Sequence, residues 1–210
     1  VQKCFDKETG GFAARPGGKA AYQPTAVGIM AVVELKMSTA PYADTVIKYL
    51  DAHSKTFEEI RLTAASFEAL GKRPPHAETW LEQIAKMRNA DGTYGKGDGV
   101  ARDTGGAVAA VLRLGGKVEQ RDNVLKALNA GQRKDGGFGK AGEGSDLATS
   151  YRIARTFHML KIKPDGANRL RAFLARCRNN DGGYGVAPGQ PSSVSGTYYA
   201  SIIAHWLDEK

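Results

Sequence analysis

Asp181-Gly182-Gly183-Tyr184 is the clearest copy of a short motif that recurs along the chain. The other copies are Thr9-Gly10-Gly11-Phe12, Asp91-Gly92-Thr93-Tyr94 and Asp135-Gly136-Gly137-Phe138. The last three copies begin 44 residues (91 to 135) and 46 residues (135 to 181) apart, and the first two begin 82 residues apart (9 to 91), which leaves room for one degenerate copy. Self-similarity at such a period predicts an architecture of repeated supersecondary units.

A threonine after each turn gives the repeat a second landmark. These threonines open short apolar segments and are spaced by 38, 41, 45 and 48 residues: Thr25, Thr63, Thr104, Thr149 and Thr197. Thr63 belongs to the degenerate copy, which lacks the glycine motif. We therefore predict one domain over residues 1–210 with five units, at roughly 1–36, 42–72, 76–116, 120–162 and 166–210.

The sequence pattern of each unit predicts a pair of helices. The first helix is amphipathic, with apolar residues at i, i+3, i+4 and i+7. Two examples are Leu170, Phe173, Leu174 and Cys177, and Trp80, Leu81, Ile84 and Met87. The second helix is apolar nearly all round, as in residues 105–114 and 198–207, and such a helix is buried. We expect the apolar helices to form an inner ring inside the amphipathic ones.

The glycine motif has a physical role in ending the first helix. Glycine adopts positive φ without steric cost, which stops a helix sharply. The preceding aspartate accepts hydrogen bonds from nearby backbone N–H groups in such turns. We expect the aromatic residue to fill the space between neighbouring hairpins, and the threonine to cap or open the next helix.

These residues resemble one known family. Gly-Gly-aromatic turns after a Gln/Arg-x-x-Asp lead-in, followed by Thr-Tyr and an apolar helix, are similar to the repeats of protein prenyltransferase β subunits and of squalene and terpene cyclases. The first and last copies also keep a Pro-Gly pair, at Pro16-Gly17 and Pro188-Gly189. The resemblance implies an all-α fold, an α/α toroid of about five helical hairpins that is smaller or less complete than usual. Members bind isoprenoids in a central apolar cavity.

Composition excludes several classes of function. Hydrophobic residues make up 41% and charged residues 25%, as in a soluble globular protein, and no apolar run is long enough to span a membrane. The net charge of +8 comes from scattered basic residues, with no aromatic-interleaved nucleic-acid motif. Two cysteines make no disulfide framework. We expect a soluble protein without a nucleic-acid partner; the chain starts at Val1 with no visible targeting segment, so its compartment is unassigned.

The resemblance also implies a test for zinc. Family transferases hold zinc with an Asp-x-Cys pair at the start of an inner helix and a histidine before the threonine of a late repeat. The aspartate matches Asp146, but the cysteine position holds Ala148 and the histidine position holds Gly196. The Asp-x-Asp-Asp acid motif of the cyclases is absent as well. We therefore predict no zinc site and no cofactor, and whether the chain is an enzyme stays open.

Candidate ligand residues lie in and just before the first turns of the inner helices, at one mouth of the expected cavity. Helix N-termini attract anions, and nearby arginines would strengthen a diphosphate or carboxylate site. The candidates are Tyr22, Gln23, Arg61, Arg102, Asp103, Asp146, Tyr151, Arg152, Arg155, His158, Tyr198 and Tyr199. Arg155 and His158 are polar groups on an otherwise apolar helix, which indicates a wet cavity wall. The alternative is structural: ion pairs between the arginines and Asp103 or Asp146, and a satisfied core histidine.

Three functional hypotheses remain at this point. The first is a zinc-free toroid that binds or transforms an apolar or isoprenoid ligand in its cavity. The second is a non-catalytic ring that binds a protein partner on its concave face. The third is a purely structural domain of a larger chain.

Overall fold

A computed structural model describes residues 1–209 of the chain. Within this part, nine α-helices alternate with turns and two very short hairpins. The helices are α1 Tyr22–Glu34, α2 Ala43–His53, α3 Phe57–Ala69, α4 Ala77–Lys86, α5 Val100–Arg113, α6 Arg121–Ala130, α7 Leu147–Met159, α8 Ala167–Cys177 and α9 Val194–Asp208. Single 3-10 turns occupy Gln2–Cys4 and Gly97–Gly99. The predicted all-α fold class is confirmed.

Two antiparallel strand pairs hold the turns in place. Strand β1 (Phe5–Asp6) pairs with β2 (Gly11–Phe12), and Phe5 lies opposite Phe12. Strand β3 (Phe138–Gly139) pairs with β4 (Ser145–Asp146), and Phe138 lies opposite Asp146. Since each strand has only two residues, these pairs constrain the loops but do not form a layer of β-sheet.

The chain divides into two compact units. The first comprises Val1–Lys86 with Ala110–Lys117 and contains α1 to α4 and the end of α5. Its core forms where α1 packs on α2 and α3, and it includes the fully buried side chains of Phe12, Ile29 and Leu50. The aromatic rings of Phe5 and Tyr42 pack around Phe12.

The second unit comprises Met87–Ala109 and the chain from Val118 onward, so α5 contributes residues to both units. Helix α7 packs against α9 on one side and against α5 on the other. Gly105 makes the α5–α7 approach close, because a Cβ added there would lie 3.3 Å from the Ile153 side chain. The Thr156 hydroxyl donates to the Gly105 carbonyl at 2.6 Å, which fixes the two helices at this point.

The glycine turns have the predicted geometry. The first glycine of each motif has positive φ: 73° at Gly10, 85° at Gly92, 85° at Gly136 and 83° at Gly182. The carboxylates of Asp91, Asp135 and Asp181 each accept a hydrogen bond from the N–H two residues later, at 2.9 to 3.0 Å. In the first copy, Asp6 takes this role for the N–H of Glu8. The aspartates therefore fold the turns, as the motif predicted.

A hydroxyl at the fourth or fifth helical position joins each turn to the next helix. The Oγ1 atoms of Thr25, Thr104 and Thr197 accept from the backbone N–H of the motif aromatic at 2.8 to 3.0 Å. In the copy with Phe138, the acceptor is Ser150 at 3.1 Å and not the landmark threonine Thr149. Thr149 lies one position earlier and bonds the capping carboxylate instead. The landmark was off by one here because serine and threonine offer the same acceptor.

The degenerate copy also differs from its prediction. Helix α3 begins with a capping box between Thr56 and Glu59, so Thr63 lies well inside the helix and not at its opening. The Thr63 hydroxyl contacts that of Ser54 at 2.7 Å and also that of Tyr22. Thr63 therefore links three segments of the first unit and does not fasten a glycine turn.

Burial largely follows the predicted helix faces. Leu170, Phe173, Leu174 and Cys177 are all buried, and this burial raises the pKa of the Cys177 thiol to about 11. Met87 is exposed, because α4 ends at Lys86 before the stripe is complete. Helix α5 is buried along most of its length. Helix α9, although apolar, is not buried all round: Val194 and Tyr198 are exposed.

Replacing Thr25 by valine tests the turn-to-helix hydrogen bond. The valine keeps the shape of the side chain but leaves the buried N–H of Phe12 without its acceptor. We expect the free energy of unfolding to fall by about 1–3 kcal/mol in urea denaturation. Thr79→Val, on the exposed side of α4, is the matched control and should change it by less than about 0.5 kcal/mol. Equal losses in both variants would contradict the role of this bond.

The turn aspartates predict a loss of stability in acid. Hydrogen bonds from Thr9, Thr93 and Ser192 hold the pKa values of Asp6, Asp91 and Asp181 below their usual range, with further bonds from backbone N–H groups. A lowered folded-state pKa gives stability that is complete above the unfolded pKa of about 3.9 and is lost as the pH falls through the folded value.

The triple variant Asp6→Asn, Asp91→Asn, Asp181→Asn should therefore lose less stability on acidification than the parent. Asparagine keeps an acceptor oxygen but does not titrate. The measurement is the melting temperature at about pH 5 and about pH 2. Glu82→Gln, on the exposed face of α4, should leave the pH dependence as in the parent. A parallel loss in the triple variant would show that other carboxylates are responsible.

Candidate functional site

An aromatic cluster lies between α7 and α9 in the second unit. The Tyr151 ring is 4.9 Å from that of Tyr199, 5.7 Å from that of Tyr198 and 5.4 Å from that of Trp206, measured between centroids. The hydroxyls of Tyr151 and Tyr198 are 3.4 Å apart. Tyr198 is 48% exposed and the other three rings are partly buried, so the cluster presents a half-open aromatic surface.

A guanidinium lies against these rings. The Arg155 Cζ atom is 5.0 Å from the Tyr151 centroid and 4.8 Å from that of Trp206, within cation–π range. Arg155 also donates to the Tyr151 hydroxyl. Its Nε atom is buried and has no hydrogen-bond partner among the described residues. Because the guanidinium covers two ring faces, the cluster carries positive charge and would attract an anion more than a cation.

Next to the rings, two histidines share one carboxylate. The His158 ring stacks on Trp206 at 5.0 Å, and its Nδ1 lies 3.1 Å from a Glu209 oxygen. The other Glu209 oxygen lies 3.0 Å from Nε2 of His205. His158 is therefore neither a core histidine nor isolated: it extends the cluster and has a partner on α9.

Two further arginines share a face between α5 and α7. Gly106 leaves room for Arg152, whose guanidinium carbon would lie 3.3 Å from a Cβ added at Gly106. Arg102 is four residues before Gly106, on the same face of α5 and about one turn away. The guanidinium of Arg102 contacts the Asp103 carboxylate at 3.2 Å, an ion pair of the kind that the structural alternative foresaw. Arg102 and Arg152 thus lie close together on one surface.

Two candidates belong to the first unit and serve its packing. The Tyr22 hydroxyl contacts the hydroxyls of Ser54 and Thr63 and donates to the Glu59 carbonyl, and burial raises its pKa although the two hydroxyls oppose the rise. Arg61 pairs with Glu58 one turn earlier at 2.8 Å. Tyr22 and Arg61 therefore have structural partners in the first unit. Gln23 lies exposed in the first turn of α1.

Asp146, Ala148 and Gly196 occupy the positions that correspond to the zinc ligands of the family transferases. The Asp146 carboxylate caps α7, accepting from the N–H of Thr149 at 2.7 Å and from its hydroxyl at 2.8 Å. Ala148 offers no ligand atom. At Gly196, a Cβ would lie 2.3 Å from the Tyr184 carbonyl oxygen, so no larger side chain fits without moving the backbone. These residues do not fit zinc.

Residues 1–209 contain no group of three or more histidine, cysteine, aspartate or glutamate side chains arranged to hold a metal ion. No helix in this range has the length and hydrophobicity needed to cross a bilayer.

Comparison with known proteins identifies the class. Residues 35–209, five sixths of the chain, match the prenyltransferase alpha-alpha toroid domain. The chain belongs to this family, which confirms the resemblance inferred from the glycine turns. The chain is also similar to a drimenyl diphosphate synthase from Streptomyces showdoensis, with 31% identity over 152 residues. That match covers 64% of this chain and only 28% of the synthase.

The structure groups some predicted residues and adds others. Tyr151, Arg155, His158, Tyr198 and Tyr199 come together on α7 and α9, whereas Tyr22 and Arg61 do not join them. The sequence analysis missed Trp206, Gly106 and Glu209. Helical spacing could have found Trp206, which is seven residues after Tyr199 and so on the same face. Gly106 gave no signal, because its role is to leave space for a side chain of another helix.

Replacing Gly196 by alanine tests the close approach of the 184–185 loop to α9. Alanine stabilises a helix by about 1 kcal/mol relative to glycine. Its Cβ atom would nevertheless clash with the Tyr184 carbonyl and force the loop to shift. We expect a net loss of about 1–3 kcal/mol, seen as a lower melting temperature. Gly144→Ala is the control, since a Cβ there meets nothing within 4 Å. A Gly196→Ala protein as stable as this control would refute the close contact.

Proposed function

We propose that the chain binds an isoprenoid diphosphate on the α5–α7–α9 face of its second unit, without zinc. The observation that carries the proposal is the half-open cluster of Tyr151, Tyr198, Tyr199 and Trp206 with Arg155 against it. Such a surface offers apolar contact area and positive charge side by side. A ligand with an apolar chain and an anionic head matches both.

The aromatic rings would receive the hydrocarbon chain. Tyrosine and tryptophan bury large areas at low entropic cost and keep a polar tip toward water. The exposed part of Tyr198 and the partly buried rings beside it leave area for such contact. Because Arg155 already covers the faces of Tyr151 and Trp206, the chain would lie along the remaining ring surface.

The arginines would receive the anionic head. Arg152 of α7 lies against Gly106 of α5, and Arg102 lies about one helical turn before Gly106. Arg155 is on the same helix as Arg152. Arginine binds phosphate oxygens with two parallel donors, and such charge-assisted bonds are about twice as strong as neutral ones. Asp103 holds Arg102 in place in the free protein, and the head would compete for that guanidinium.

Family membership and the relative support this ligand class. The name of the Streptomyces synthase gives a diphosphate compound as its product. The chain spans little more than a quarter of that protein, so catalysis is not part of the proposal. Since the Asp146, Ala148 and Gly196 positions do not fit a metal, the proposed binding uses guanidinium groups alone.

Native mass spectrometry and tryptophan fluorescence with farnesyl diphosphate test the proposal. We expect one bound ligand, with or without EDTA, and a change in fluorescence because Trp206 lies in the cluster. Arg102→Ala and Arg152→Ala should each weaken binding by about 10- to 100-fold, as expected for lost charged hydrogen bonds. Farnesol and inorganic diphosphate, each offering half of the ligand, should bind more weakly than the intact ester.

Arg61→Ala is the matched control, because it removes the same charge from a residue that pairs with Glu58 in the first unit. Its affinity should equal that of the parent. An equal loss in Arg61→Ala, or no binding by the parent, would overturn the proposed site. Stoichiometric retention of zinc would overturn the metal-free part, and binding of a protein with no response to the ester would favour the scaffold hypothesis.

A further inference from the structure

Helix α8 and the residues that flank it carry an excess of positive charge. From Lys161 to Arg178 the chain has six basic residues and one acidic residue, Asp165. Of the four arginines in this stretch, Arg171 pairs with Asp208 at 2.6 Å. The other three arginines are exposed.

Two of these arginines are held by neutral groups beside the turn that follows α6. Arg169 donates to the side-chain oxygen of Gln132 at 2.7 Å. Arg176 donates to the backbone carbonyl of Asp135, and its guanidinium lies 5.9 Å from the buried ring of Phe173. Because seven residues separate them, both project from one face of α8, about 10 Å apart. The contacts fix their positions without neutralising their charge.

Lys134 and Arg178 extend this surface. Lys134 is exposed and adjoins Asp135, and Arg178 follows Arg176 by two residues. We call the set Lys134, Arg169, Arg176 and Arg178 the basic band. Within residues 1–209, no carboxylate lies within 4.0 Å of a basic nitrogen of the band. The Asp135 carboxylate is near, but it accepts from Ser145 and Gly137 and does not pair with the band.

We propose that the basic band docks the protein on an anionic lipid surface. Between the arginines, α8 exposes only the small side chains of Ala172 and Ala175, so the helix can approach a flat surface closely. Each Lys or Arg near an anionic membrane adds to the affinity, and several together give reversible binding. The binding would be electrostatic, since the band has no large exposed apolar residue to insert.

The band suits a bilayer better than a nucleic acid. It contains no aromatic side chain on which bases could stack. Arg169 and Arg176 are held in place by their hydrogen bonds. Because lipid headgroups diffuse laterally, anionic headgroups can pair with such fixed cations. A bilayer is furthermore the phase that holds apolar ligands, and this last point rests on the proposed function, whereas the charge argument does not.

Co-sedimentation with vesicles tests the inference on the full chain. We expect binding to phosphatidylcholine vesicles with about 30 mol% phosphatidylglycerol and none to pure phosphatidylcholine. Binding should disappear between about 0.1 M and about 1 M salt, as the Debye length falls from about 10 Å to about 3 Å. Arg169→Gln, Arg176→Gln, Arg178→Gln should lower the partition coefficient on the order of 100-fold, about fivefold per charge.

The control variant Lys3→Gln, Lys7→Gln, Lys19→Gln removes three exposed charges from the first unit and should retain vesicle binding. If the arginine variant proves unstable, the single change Lys134→Gln should still weaken binding by about fivefold. Equal losses in the lysine control would overturn the assignment to the band. Tighter binding to a DNA duplex that displaces the vesicles would overturn the choice of a membrane.

The vesicles contain no isoprenoid, and farnesyl diphosphate binding is measured separately. If the parent protein does not bind vesicles but does bind farnesyl diphosphate, only the membrane inference is overturned. The reverse result overturns only the proposed ligand site.

Discussion

The structure depends on one hydrogen bond that is made four times. The backbone N–H of each motif aromatic donates to a hydroxyl at the fourth or fifth position of the following helix: Thr25, Thr104, Ser150 or Thr197. This bond sets where a turn lies on the helix that comes next. Since the bond is buried or partly buried, an alternative arrangement would leave a donor unsatisfied, which is costly. The glycines and aspartates shape the turn, but this bond determines which residues reach the start of the helix.

The candidate site follows from that placement. Ser150 fixes the start of α7, so Tyr151, Arg152 and Arg155 occupy the first turns of the helix that contacts both α5 and α9. Thr197 does the same for Tyr198 and Tyr199. Positive charge and aromatic surface then meet on neighbouring helices.

Sequence alone predicted the helices and the turn chemistry well, because both depend on local rules. The stripe Leu170, Phe173, Leu174 and Cys177 is buried as its spacing required. Position within a helix was less predictable, since Thr149 and Ser150 offer the same group and only the structure shows which one reaches Phe138. The site was predicted in part. Side chains on α7 and α9 meet, but nothing in the sequence separated them from Tyr22 and Arg61. Tyr22 contacts Thr63, 41 residues away, whereas Arg61 pairs with Glu58 on its own helix.

The contact at Gly196 has a consequence for how this branch of the family can change. A histidine there would have to displace the carbonyl of Tyr184 before it could offer a nitrogen to anything. A histidine substituted alone would therefore disturb this loop contact before it could act as a ligand. The loop would have to move first, so the order of two changes limits which side chains position 196 can hold.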